Sequence, residues 1–87
     1  MSIENERLTL KAKRAEKQER IETLRIKASS MVVQIRRSLG GQYVDDILTV
    51  DVDEARVTMA DLQDVVREAK QLQNQVREIS RKLGDAG

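Results

Sequence analysis

The aliphatic residues of this 87-residue chain form two long helical patterns separated by one break. From Ile3 to Leu39 there is no Gly or Pro. Ile3, Leu10, Ile21, Leu24, Ala28, Met31 and Ile35 recur at helical spacing, and positions 21, 24, 28, 31 and 35 keep a heptad frame, the mark of a coiled-coil seam. The same frame reaches 14 and 17 but finds Arg14 and Lys17 there, while Leu8, Ala12 and Ala15 make a second strip on another face. The pattern therefore predicts a helix over about 3–39 whose second half is the better specified seam. Ser2 suits its N-cap, Glu4 and Glu6 its positive end, and Arg36 and Arg37 its negative end.

The second pattern is cleaner. Ala55, Leu62, Val65, Ala69, Leu72, Val76, Ile79 and Leu83 follow heptad spacing, with only Thr58 interrupting, and predict a helix over about 52–84. Asp51 and Glu54 read as a capping box, each side chain satisfying an orphan amide of the other residue. Thr58 and Asp61 offer a start one or two turns later, and Gly84 is a fitting C-terminal stop.

Between the two lies GGQYVDDILTVDV. Gly40 can take the left-handed conformation that ends a helix. Tyr43, Val44, Ile47 and Leu48 recur at helical spacing, enough for a short helix within residues 40–51. The alternative is an extended segment over 47–52, favoured by Thr and Val, which would need a strand of another copy to pair with. Two glycines inside a continuous helix would cost about 2 kcal/mol relative to Ala, so the pair marks a bend. Two helices of roughly 50 Å joined by a short bend describe one all-α domain over 1–87, an antiparallel helical hairpin packing as a coiled coil or bundle in an oligomer.

Folding the chain at residues 40–51 brings together positions whose numbers add to roughly 91. The expected hairpin core is Ile21, Leu24, Ala28, Met31, Ile35, Leu62, Val65, Val66 and Ala69. Further from the bend, Val76 meets the region of Arg14, and Ile79 and Leu83 find only Leu8 and Leu10. With Leu72, Val76, Ile79, Leu83 and Leu10 left uncovered, a second chain is expected there, most simply the same helix of another copy.

Composition narrows the function. Charged residues make up 36% of the chain yet cancel to a net +1, and aromatics reduce to one Tyr. Aliphatic, highly charged and free of Pro is the composition of long helices packed along a seam. The absence of His and Cys removes the commonest general base, the activated thiol, disulfides and the usual transition-metal ligands, so no metal or cofactor is expected. Apolar runs extend over only a few residues, which excludes a membrane span or signal-peptide core and suggests a cytoplasmic protein. Charge is unevenly spread: net +5 up to Arg37, −6 from Asp45 to Asp64 and +2 thereafter. In a hairpin this makes an acidic turn and a basic tip.

Each motif with chemical promise has a plainer explanation. Lys11, Lys13, Arg14, Lys17 and Arg20 could neutralise nucleic-acid phosphates, but Glu16 and Glu19 interrupt them and no aromatic stands near to stack a base. The acidic DVDEA run fails as a calcium loop, because Ala55, Arg56 and Leu62 occupy the later ligand, glycine and glutamate positions. The glycine pair has no phosphate-binding lysine, Ser29 and Ser30 have no activating base beyond Lys27, and Asp45 and Asp46 are adjacent turn residues. Size and composition resemble the small accessory proteins of bacteria and their phages. The expected function is a non-enzymatic interaction or assembly module working as a homo-oligomer. Alternatives are a small nucleic-acid-binding regulator using the basic arm, and an inhibitor or adaptor docking on a larger protein.

Overall fold

The computed structural model describes residues 3–41 and 46–84, so the expected Ser2 cap and the side chains of Tyr43 and Val44 lie outside it. Helix α1 runs Ile3–Ser38 and helix α2 runs Val52–Lys82, the two packing against each other along a body of 66 × 18 × 16 Å. Both helices fall within two residues of the expected limits. No strand occurs among the described residues. Ile47–Thr49 form a single 3-10 turn, the short helix expected within residues 40–51 and not the extended alternative.

The glycine pair ends α1 by a specific bonding pattern. The Gly40 amide donates to the Arg37 carbonyl at 3.1 Å and the Gly41 amide reaches back to Arg36 at 2.6 Å, the reciprocal pair of a Schellman ending. Gly40 and Gly41 have φ of 94° and 73°, left-handed values that an L side chain would strain. Gly84 closes α2 in the same region, at φ 77°.

Asp46 then starts the 3-10 turn, its Oδ1 accepting the Leu48 amide at 2.9 Å. Asp51 caps α2, its Oδ1 accepting the Glu54 amide at 2.8 Å, so the helix begins there and not at Thr58. Only half of the expected capping box forms. The Asp51 amide donates at 2.7 Å to the carbonyl of buried Ser38, not to Glu54, and thereby ties the end of α1 to the start of α2. Thr58 interrupts the heptad harmlessly because its hydroxyl donates to the Glu54 carbonyl one turn back, at 3.1 Å.

Leu24, Ala55, Val65, Val76, Ile79 and Leu83 are buried. Of the remaining expected core, Ile21, Ala28, Met31, Ile35, Leu62 and Ala69 are half-buried, whereas Val66 is 39% exposed and belongs to the surface.

The far end departs most from expectation. Val76, Ile79 and Leu83 are only 6%, 7% and 4% exposed within the single chain, and Leu72 and Leu10 are half-buried, so the expectation that the hairpin leaves them uncovered is corrected. Arg14 and Lys17, which interrupt the apolar pattern of the facing stretch of α1, are themselves half-buried. Arg14 Nη1 donates to buried Ser80 Oγ at 3.1 Å and Lys17 Nζ to Gln75 Oε1 at 2.8 Å. Half-buried cations whose heads are bonded to polar atoms of α2 have the arrangement by which long side chains cover apolar surface with their stems.

Candidate interaction surface

Because both helices keep a seven-residue frame, the residues flanking the seam form continuous rows, and the two sides of the hairpin differ in chemistry. On one side, α1 presents Lys13, Arg20, Lys27 and Gln34, and α2 presents Glu54, Asp61, Glu68 and Gln75. Run antiparallel, these rows set cations opposite carboxylates. Arg20 Nε meets Glu68 Oε2 at 2.9 Å, and Lys27 shares a cleft with Asp61 and Asp64 above Leu24 and Val65. Toward the bend this side opens into a cleft of about 720 Å³ bordered by Ser30, Gln34, Arg37, Ser38, Asp51 and Glu54.

The other side is apolar. Its α1 row is Arg25, Val32 and Leu39, and its α2 row is Val52, Met59 and Val66. In this register Leu39 lies beside Val52 and Val32 beside Met59. A groove of about 330 Å³ runs over Ile21, Ala28, Val66 and Ala69, with Arg25 and Lys70 at its edges. Met59 and Val52 are 55% and 50% exposed, so this surface carries large apolar side chains facing solvent rather than a closed core.

A third apolar strip runs along the back of α1 through Leu8, Ala12, Ala15, Ile26 and Val33, all exposed. It explains why α1 has almost no net amphipathicity although it contributes half the seam: its two apolar strips point in opposite directions and cancel, whereas those of α2 do not. Ile47 and Leu48 stand exposed at the turn.

The five cations expected to grip nucleic acid are not gathered into one free face. Arg14, Lys17 and Arg20 spend their charged groups on Ser80, Gln75 and Glu68 of α2, leaving Lys11 and Lys13 exposed. On the apolar side, the Arg25 guanidinium is hydrogen bonded to Glu22; this bond holds the Glu22 carboxyl below its ordinary range and raises Arg25. Among the described residues no group of three carboxylates is placed to hold a metal ion. No helix among them is long and apolar enough to cross a membrane.

Sequence reading missed Val32, Leu39, Val52 and Met59 as surface-forming residues. The signal was present as two seven-residue rows beside the seam, which are visible once the seam is drawn as a surface and not as a line. Comparison with protein family models, curated proteins and solved structures finds no match.

Proposed function

We propose that this protein is a non-catalytic interaction module that offers the apolar side of its bend-proximal half to another helical chain. The observation that carries the reading is the row Val52, Met59 and Val66 beside Val32 and Leu39, open to solvent next to a seam whose Leu24, Ala55 and Val65 are buried. A two-helix pair needs apolar residues only at the seam positions, whereas apolar residues at the seam plus one flank are the pattern of a helix packed on two sides, as in a bundle. The chain carries the second pattern near the bend and the first near its ends. Each exposed aliphatic forgoes roughly 1.5–3 kcal/mol of burial, which a docked helix would recover. The basic arm is the weaker basis for a function, because three of its five cations are engaged by α2.

A photo-crosslinking residue placed at Met59 tests the module in the cells that make it. Cross-links to a protein are expected at Met59 and not at Asp64 on the ionic side. Absence of any protein cross-link at Met59, with the hairpin folded, overturns the reading.

A further inference from the structure

We infer that the occupant of the apolar groove is an amphipathic helix of another protein with acidic residues flanking its apolar stripe; this rests on the interaction-module reading above. The groove supplies the apolar part of the argument, and its borders supply the charge. Beside the row Val52, Met59 and Val66, α2 carries Arg56, Gln63, Lys70 and Arg77 at strict seven-residue steps. The bordering row of α1 carries Glu22, Ser29 and Arg36. Arg36, Arg56, Lys70 and Arg77 are exposed, and none has an ion pair among the described residues. The one carboxylate on these rows is Glu22, which is already bonded to Arg25.

The two sides of the hairpin thus treat their charges in opposite ways. On the ionic side Arg20 pairs with Glu68 of α2, and Lys27 lies in one cleft with Asp61 and Asp64. On the apolar side Arg36, Arg56, Lys70 and Arg77 flank the open apolar face with no ion pair among the described residues. A second copy presented through the same side would bring Arg36, Arg56 and Lys70 of one copy toward the same cations of the other, because an isologous contact joins like surfaces. A helix flanked by Glu or Asp meets these cations with opposite charge, which favours it in both affinity and association rate. The apolar part of the groove side extends from Ile21 to Leu39 along α1, so a helix of about 20 residues spans it.

The test uses the full chain and two synthetic helices of about 20 residues with identical leucine heptads, one flanked by Glu and the other by Lys. Fluorescence anisotropy at low salt is expected to show the Glu-flanked helix binding about tenfold tighter, the effect of two exposed ion pairs, with the preference shrinking as salt is raised. Met59→Glu with Val66→Glu should abolish binding while helicity is kept, since both side chains are already exposed; Val57→Glu, off the groove, should not. Reversal of Arg56, Lys70 and Arg77 to Glu should transfer the preference to the Lys-flanked helix. Equal or tighter binding of the Lys-flanked helix overturns the inference, as does binding of anionic lipid vesicles in place of either peptide. A dimer of the wild type that the Met59 and Val66 changes dissociate also overturns it, naming a second copy as occupant and leaving the module reading intact. If neither peptide binds, the inference falls; if Met59 also gives no cross-link in cells, the module reading falls with it.

Discussion

The half of the hairpin near the chain ends and the half near the bend bury the same kind of aliphatic seam by different means. Near the ends, Val76, Ile79 and Leu83 are buried against a stretch of α1 that is poor in apolar residues, where half-buried Arg14 and Lys17 bond to Ser80 and Gln75. Near the bend, aliphatic residues face each other across the seam and continue around one side, where Val52, Met59 and Val66 remain open. One half buries its aliphatic seam within the single chain; the other leaves aliphatic side chains open beside its seam. A shortage of apolar residues opposite a seam is therefore weak evidence for a missing subunit when Arg or Lys occupies the gap. An excess beside the seam is the better sign.

The largest expected effect breaks this contrast if it fails. Val76→Ala with Ile79→Ala should cost about 4 kcal/mol, because both side chains are removed from a closed seam. Urea denaturation followed by circular dichroism should give a midpoint that does not move with protein concentration. A midpoint that rises with concentration would return this end to an intermolecular contact.

Next in size is a test of how the far end is covered. Arg14→Ala with Lys17→Ala should destabilise by roughly 2 kcal/mol, whereas Arg14→Met with Lys17→Met, which keeps an apolar stem, should lose less than half of that. Equal losses in thermal melts would mean that the bonds to Ser80 and Gln75 matter and the stems do not.

At the bend, Gly41→Ala should cost about 1 kcal/mol through backbone strain alone. At φ 73° the added methyl meets no atom within 4 Å, so a larger methyl effect is not expected. D-alanine at the same position, introduced by peptide ligation, should be at least as stable as glycine in the same melt; a loss there would point to side-chain crowding instead of φ.

The smallest effect lies at the boundary of the two halves. The bond from Arg25 lowers the Glu22 carboxyl below its ordinary 4.5, so the pair's contribution is present above that pH and fades as pH falls through the lowered value. An NMR titration of the side-chain carboxyl should place Glu22 below 4.5 in the wild type and return it toward that value in Arg25→Gln. An unchanged titration would remove this pair from the groove edge.

Much of the fold was legible along the chain. The two helix limits follow from local chemistry: a glycine pair that alone tolerates two successive left-handed residues, an aspartate able to cap α2, and Gly84 at its end. The seam follows from spacing, since a heptad repeat of aliphatics leaves one face that must be buried. These are properties of residues and their near neighbours, and the chain determines them by itself. What depended on the other helix was not legible. The Asp51 amide could be satisfied by Glu54 or by something distant, and the tertiary structure gave it to Ser38. Arg14 and Lys17 read as interruptions until Ser80 and Gln75 stood opposite them. Val66 counted as core, yet it is 39% exposed in the flanking row with Met59 and Val52. For Asp51, Arg14 and Lys17 the deciding partner lies on the other helix or its end, 13, 66 and 58 residues away, and only the packing of the two helices brings it within reach of a hydrogen bond.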